Sequence, residues 1–329
     1  MPVLATGGAG YVGSAAVRCL LAKGYDVFAY DSLIKGHRQS LPADRLIIGD
    51  LADKNRLVQV MRDRKINAVM HFAAFISVGE STERPLDYYH NNIVNSLTLL
   101  EAMQEAGVKK IVFSSTAAVY APITEGALQE DSPKNPDSPY AFSKYAIERL
   151  IADFSLAYGL GYTILRYFNA CGASPDGRYG EDHDPETHLI PLILQVPLGR
   201  RKKIGIFGRD YPTPDGTCIR DYIHVDDLAD AHRRALDAMP PGTGSIYNIG
   251  TGTGHSVLEV IRAAEEVAGQ KIACEYLPRR NGDTTRLVAG SEKLRKELGW
   301  SPAYKNLHAI IESAWRWHSN HPDGYGDNR

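Results

Sequence analysis

Cysteine is scarce. A chain of 329 residues carries four, Cys19, Cys171, Cys218 and Cys274, and no two stand close enough in sequence to form a Cys-x-x-Cys redox or zinc site. Scattered thiols in a chain of this size read as the reduced cysteines of a cytoplasmic protein. An excess of charge of one sign is also missing. The net charge is −2, so there is no basic surface from which a nucleic acid could displace counterions, and no nucleic-acid partner is expected. No apolar run approaches the ~18 residues of a membrane span. A signal peptide is not expected, because an apolar strand and a glycine loop follow Met1 almost at once. Repeats and low-complexity tracts are absent, and no metal site is expected. What is present is an ordinary globular composition, 43% hydrophobic and 23% charged, sufficient to bury a large core. An anionic ligand would need a local group of cations.

Short apolar runs alternate with helical patterns through the first half. Val3–Ala5, Val27–Tyr30, Leu46–Ile48, Ala68–His71, Ile111–Phe113 and Tyr162–Arg166 read as strands. Helical spacing predicts helices over about Tyr11–Lys23, Asp53–Arg64, Arg84–Ala106 and Tyr140–Tyr158, the first ending at a plausible C-cap, Gly24. This alternation predicts an α/β fold with a Rossmann-type, doubly wound parallel sheet over residues 1–171. A smaller C-terminal α/β substrate domain is expected over 172–329. The segment around 220–240, helical from Val225 to Ala238, is expected to pack back on the first domain. The last dozen residues are expected to be a mobile tail.

Thr6-Gly7-Gly8-Ala9-Gly10-Tyr11-Val12-Gly13 lies between the first strand and the first helix. Glycines such as Gly7 and Gly10 let the backbone approach a pyrophosphate, and the helix N-terminus at Tyr11 and Val12 offers free N–H groups. Asp31 ends the second strand, where an acid hydrogen-bonds an adenosine ribose and repels a 2′-phosphate, so NAD is expected rather than NADP. Asp50 and Leu51 follow the third strand. They could hold the adenine, and a surface turn or helix cap accounts for them equally well.

Tyr140 and Lys144 share one face of a predicted helix. A buried ammonium beside a phenol is expected to lower the phenol's pKa from about 10 toward neutrality. Such a tyrosine removes a hydroxyl proton while hydride leaves the same carbon. The strand before this helix ends in Ser114-Ser115-Thr116, and hydroxyls at the C-terminal ends of parallel strands face the ligand crevice. Ser114 is expected beside the cofactor. Thr116 is expected on the substrate oxygen, sharing its proton with Tyr140.

The glycine motif, the Tyr140/Lys144 pair and Leu165-Arg166-Tyr167-Phe168-Asn169 resemble the extended short-chain dehydrogenases/reductases, whose members include NAD-dependent epimerases and dehydratases. His71-Phe72-Ala73-Ala74, Val78-Gly79-Glu80-Ser81, Tyr88-Tyr89-His90-Asn91-Asn92, Phe207-Gly208-Arg209-Asp210-Tyr211-Pro212-Thr213 and Arg220-Asp221-Tyr222-Ile223-His224-Val225 are similar to the UDP-glucose 4-epimerase family in particular. The resemblance runs from about Met1 to Trp300. It implies a catalytic set of Tyr140, Lys144 and Thr116. It implies NAD contacts from Asn91, Lys144 and Tyr167, with Phe72, Ala73 and Ala74 beside the ribose and phosphates. For a UDP-hexose substrate it implies contacts from Asn169, His188, Leu189, Ile206, Phe207, Arg220, Tyr222, Arg280 and Leu287, and a uridine hydroxyl on Asp283. Two arginines suit a diphosphate, because each guanidinium offers a fork of donors. The resemblance also implies a homodimer joined through the helices at 84–106 and 140–158, and a place in galactose and nucleotide-sugar metabolism. There are departures. Ile76 stands where some relatives have an NAD-contacting lysine, Ala121 replaces a usual glycine, and His188 replaces an asparagine.

Other readings remain open at this point. A 4,6-dehydratase needs an acid–base pair after its catalytic threonine, and here Ala117-Ala118 follow Thr116. UDP-glucuronate and UDP-pentose 4-epimerases are closer rivals. A non-catalytic NAD-binding protein predicts a broken Tyr/Lys pair, which this sequence does not have.

Overall fold

A computed structural model describes residues 1–280 and 282–327 of the chain. Its first half runs β1 (Pro2–Thr6), α1 (Tyr11–Ala22), β2 (Asp26–Asp31), β3 (Leu46–Ile48), α2 (Lys54–Asp63), β4 (Ala68–His71), α3 (Val78–Glu83), α4 (Pro85–Tyr88), α5 (Asn95–Ala106), β5 (Lys110–Thr116), α6 (Pro139–Tyr158) and β6 (Gly161–Tyr167). The second half adds β7 (Asn169–Cys171), α7 (Leu189–Leu194), β8 (Ile204–Phe207), β9 (Ile219–His224), α8 (Val225–Ala238), β10 (Gly244–Ile249), β11 (Gly254–Ser256), α9 (Val257–Ala268), β12 (Cys274–Leu277), β13 (Arg286–Leu287), α10 (Glu292–Leu298) and α11 (Leu307–Asn320).

Seven strands form one parallel sheet in the order β10-β6-β5-β4-β1-β2-β3. The central strands are apolar through their middles, where helices bury both faces, and carry polar residues at their carboxyl ends. One face packs Leu4, Val69 and Phe113 against α2, α5 and α6; the other packs Val3, Met70 and Val112 toward α1 and α8. Strand order reverses between β1 and β4, and a crevice opens there at the carboxyl ends of the strands.

The expected cut at residue 171 is crossed by the chain. β10 completes the first sheet, and α8 lies on α1 through Ala15, Ala16, Val225 and Ala229, whose small side chains allow close approach. The remaining strands form a four-stranded sheet with β9 at its centre and a two-stranded β8–β12 pair. Helices α7, α9 and α11 close over them on a core that includes Ile193, Val260 and Ile311.

Two expectations about local structure are corrected. The predicted helix over 84–106 is interrupted by a π-helical turn at Tyr89–Val94. The inserted turn carries Asn92 inward, where its amide bonds the backbone of Phe75 on both sides and the Ser143 hydroxyl. The C-terminal segment is held rather than loose through residue 327; residues 328 and 329 lie outside the described residues. Tyr325 packs on Trp317 and His37, its N–H donates to Asp182, and Asp327 meets His37 Nδ1 at 2.7 Å. Among the described residues no helix is long and apolar enough to cross a membrane.

Candidate active site

The glycine loop is shaped by two kinds of constraint. Gly7 has φ +71°, and a Cβ there would lie 2.4 Å from the Ala73 nitrogen; one at Gly13 would lie 2.2 Å from the Gly7 oxygen. Both glycines are therefore required by the protein itself. At Gly10 a Cβ would meet nothing nearer than 3.4 Å, so the protein does not demand glycine, and the open side is the one a ligand would approach. Gly10 caps α1 without a side-chain bond, and the first turn holds no acidic residue. The free N–H groups of that turn and the helix dipole suit a pyrophosphate. A dinucleotide thus fits this loop.

The flanking residues complete the cradle. Phe72 and Ala73 both donate to the Thr6 carbonyl, at 2.9 and 3.0 Å, which seats them beside Gly7 with Ala74 following. Asp31 is buried at the end of β2. Its two oxygens accept from Ala9 and Leu33 N–H at 2.9 Å each, and burial raises its pKa against those two bonds. Each oxygen keeps a lone pair for a ribose hydroxyl. The Tyr11 side chain is spent elsewhere, its hydroxyl donating to the Gly172 carbonyl at 2.6 Å, so only its backbone faces the loop. Val12 packs beside the core under α1. Asp50 accepts from Ala52 N–H in a local turn, and Leu51 is buried in the core beneath α2. These two side chains follow the turn alternative.

The proton-transfer groups lie across the crevice. Ser138 caps α6 by accepting from Ala141 N–H, which fixes Tyr140 in the first turn of the helix. Burial and the neighbouring Tyr167 and Tyr88 phenols hold Tyr140 above its ordinary pKa; a hydrogen bond with the Thr116 hydroxyl pulls the other way. Lys144 donates to the Ser114 carbonyl at 2.9 Å and lies 5.0 Å from the centre of the Phe113 ring. Burial lowers its pKa to about 7, against the pull of Glu148. The expected lowering of the phenol by Lys144 is therefore corrected. Both groups are desolvated, and Lys144 is not among the groups that shift Tyr140.

The cofactor-side contacts interlock. Ser114 bonds His232 Nε2 at 2.9 Å and the Tyr167 hydroxyl, and the Phe72 ring tilts against His232 at 4.9 Å. Asn91 donates to the buried Asn92 at 3.0 Å.

A second cluster stands at the far end of the crevice. Arg280 grips Asp283 through Nε and Nη2 at 2.9 and 3.2 Å and lies over the Phe207 ring. Arg220 donates to the carbonyls of Ile219 and Thr284 and reaches Asp283 at 3.9 Å. Leu287 on β13 pairs in register with Arg220, and Asn169 donates to the Asp221 carbonyl at 2.9 Å. The buried Tyr211 hydroxyl nearby has no hydrogen-bond partner. Three expected contacts are placed differently. Ile206 and Tyr222 are core side chains, so their side chains pack the interior. His188 precedes α7 and Leu189, but its imidazole meets Glu181 at 2.7 Å.

Residues 3–250 match the NAD dependent epimerase/dehydratase family. The chain belongs to that family. A UDP-glucose 4-epimerase from Lacticaseibacillus casei is 50% identical over 329 residues, covering 99% of each chain. The crystal structure of UDP-glucose 4-epimerase from Bifidobacterium longum in complex with NAD+ and UDP superposes with a TM-score of 0.93 at 37% identity, over 98% of this chain and 100% of that one. A UDP-glucose-4-epimerase from Stenotrophomonas maltophila with bound NAD and formylated UDP-arabinopyranose gives a TM-score of 0.94 at 38% identity, over 98% and 99% of the two chains. Within this family fold several supporting residues carry no sequence signal of their own. Asn92 and Ser143 brace the π turn, and Arg166 and Glu148 form a fully buried ion pair behind β5. Tyr211 lies inside a motif that marks the family without showing what the hydroxyl does.

Proposed function

We propose that this protein is an NAD-dependent epimerase that interconverts UDP-glucose and UDP-galactose through a transient 4-ketopyranose. The observation that carries the reading is Tyr140, fixed in the first turn of α6 by the Ser138 cap and set beside Thr116 at the end of β5, in a chain whose glycine loop suits a dinucleotide and whose Arg220/Arg280/Asp283 cluster suits a diphosphate.

Each group has one task. The loop from Gly7 to Val12 takes the pyrophosphate, Asp31 the adenosine ribose, and Asn91, Lys144 and Tyr167 the nicotinamide half. When bound, the nicotinamide supplies the acceptor for the C4 hydride and then returns it. Tyr140 takes the C4 hydroxyl proton and returns it to the C4 oxygen once the ketone has turned its other face to the hydride, and Thr116 positions that oxygen. Arg220 and Arg280 leave Asp283 in part to hold the diphosphate, and Asp283 is then available to a uridine hydroxyl. The nucleotide is held by charge, while the sugar end is lined by Leu287 and other uncharged groups. The ketone can therefore turn about its diphosphate link without breaking a strong contact. Incubation with UDP-galactose is expected to yield UDP-glucose with no net change in NADH absorbance. Folded, NAD-loaded protein that makes none would reject the assignment.

The functional unit is a homodimer. Leu86, Val94, Phe142 and Leu156 stand exposed on the helical run from Pro85 and on α6, Leu156 to 90%, and Tyr89 and Phe142 meet edge to face at 6.0 Å. Such an apolar surface on two adjacent helices suits a second copy of itself. Light scattering is expected to give twice the 36.2 kDa of one chain, and a monomer mass at micromolar concentration would contradict it. Four unpaired thiols support a cytoplasmic location. The NAD-binding unit comprises residues 1–171 with the returning segment 225–249, and the UDP-sugar unit the rest.

A further inference from the structure

Four side chains from one short loop converge outside the crevice. Glu181, His183, Glu186 and His188 each aim one ligating atom at a common point, and those atoms all lie within 4.8 Å of one another. We propose that this loop is a divalent transition-metal site, suited to zinc, formed by two imidazole Nδ1 atoms and two carboxylates.

The first argument is satisfaction. Glu181 is only 3% exposed, yet its Oε1, together with His183 Nδ1 and His188 Nδ1, satisfies no hydrogen-bond geometry. These atoms are nevertheless close: His183 lies 3.3 Å from Glu181 and 3.6 Å from Glu186, and His188 lies 2.7 and 3.4 Å from the same pair. The four groups thus meet as close but poorly aligned ion contacts, an arrangement that one shared cation would complete. The second argument is size. Four ligands held about 2.0–2.1 Å from a tetrahedral zinc stand roughly 3.3–3.4 Å apart. Two of the four contacts match that edge, the 3.6 Å contact is slightly wide, and the 2.7 Å contact between His188 and Glu181 must open by about 0.6 Å on binding. The third is charge. Two carboxylates neutralise a divalent cation, whereas without one the same buried acids depend on protons carried by both imidazoles. Mixed nitrogen and oxygen donors favour zinc and its transition-metal neighbours over magnesium or calcium, which prefer oxygen alone.

The position indicates what such an ion does. Four protein ligands leave no open position, the arrangement of a structural site. The loop it closes touches both halves of the molecule. His183 packs edge to face on Tyr11 at the glycine loop, Lys35 donates to the Asp184 carbonyl at 2.7 Å, and His188 begins α7. The metal therefore ties the start of α1 to the start of α7.

The test uses the full chain, stripped with a chelator and carrying Cys274→Ser so that the exposed thiol cannot compete. Titration with Co²⁺ is expected to give the visible absorption of a four-coordinate site, saturating at about one equivalent and erased by Zn²⁺. Zn²⁺ is expected to raise Tm and Mg²⁺ to leave it unchanged. His183→Gln and Glu186→Gln are expected to weaken Zn²⁺ binding at least about tenfold each, because each removes one of four ligands. His308→Gln, a histidine outside the cluster, is expected to leave it unchanged. A stripped protein that gives no Co²⁺ absorption, or loop variants that bind Zn²⁺ as tightly as the parent, would overturn the proposal. Should a loop variant not fold, the Co²⁺ spectrum of the parent decides alone.

Discussion

Tyr140→Phe is expected to cut kcat by about 10²–10⁴-fold, the usual worth of a positioned acid–base group, while dinucleotide binding stays close to that of the parent. The substitution removes one oxygen from a buried ring and leaves its packing in place. Only the Thr116 hydroxyl hydrogen bond is lost, and Thr116 still accepts from Ala118 N–H at 3.1 Å. The chemistry has no substitute, because the other hydroxyls nearby are engaged. Ser114 is held by His232 and Ser115 by Glu148. Burial holds the phenol above its ordinary pKa and the Lys144 ammonium below its own. A positive ring beside them shifts both in the same direction, favouring the phenolate and the neutral amine. The proton acceptor is thus prepared only when cofactor and tyrosine are together. Turnover of UDP-galactose and retention of NAD, measured on the same sample, check the prediction. An unchanged kcat would assign the proton transfer to another group.

How much of this could be seen beforehand varies from element to element. β3 and β4 have the bounds their apolar runs predict; β4 is buried on both faces, which leaves it no other composition, whereas β3 is a half-exposed edge strand. The placement of Gly7, Asp31, Thr116 and Tyr140 around one crevice follows from strand ends, since a parallel sheet brings all its carboxyl ends to one edge. The π turn was not visible: its apolar spacing still suits a helix, and the inserted residue shows itself only through the bonds of Asn92. The electrostatic expectation for Tyr140 failed for a related reason. Spacing on a helix puts Lys144 near the phenol but does not say how dry the site is, and burial outweighs the pair. Held residues near the C-terminus were misread because Asn, Asp and Gly suggest a loose tail, while Tyr325 and Asp327 are anchored by His37 far away in sequence. Glu181, His183, Glu186 and His188 stand in plain view. Their spacing in the sequence does not say that their side chains converge, which only the folded loop shows.

Arg166→Met is expected to destabilise the fold by about 3–5 kcal/mol, the cost of breaking a buried ion pair from one side, and to lower Tm by roughly 4–7 °C in a chain of this size. Nothing in the strand Gly161–Tyr167 announces a cation, yet Arg166 is 2% exposed. Its guanidinium meets Glu148 at 2.6 Å through Nη2 and at 2.9 Å through Nε. Its remaining nitrogen donates to the Tyr120 hydroxyl and the Glu130 carbonyl at 2.9 and 3.1 Å. Tyr120 passes the network on to Asn248 at 2.6 Å, and Asn248 bonds the Leu128 carbonyl at 2.8 Å. The arginine therefore ties α6 and β10 to the long loop between Thr116 and Pro139. Methionine keeps the unbranched stem of the side chain but leaves the Glu148 carboxylate buried with one hydroxyl, Ser115, in place of a fork of donors. The pair Arg166→Met with Glu148→Met is expected to recover part of the loss, because it removes the stranded charge along with its partner. Thermal melts of the two variants make the comparison. The single variant is also expected to lose turnover beyond its loss of folded protein, since the loop it frees carries Thr116 at one end and leads into Tyr140 at the other. A single variant as stable as the parent would mean that water reaches Glu148 and that the pair does not brace this loop.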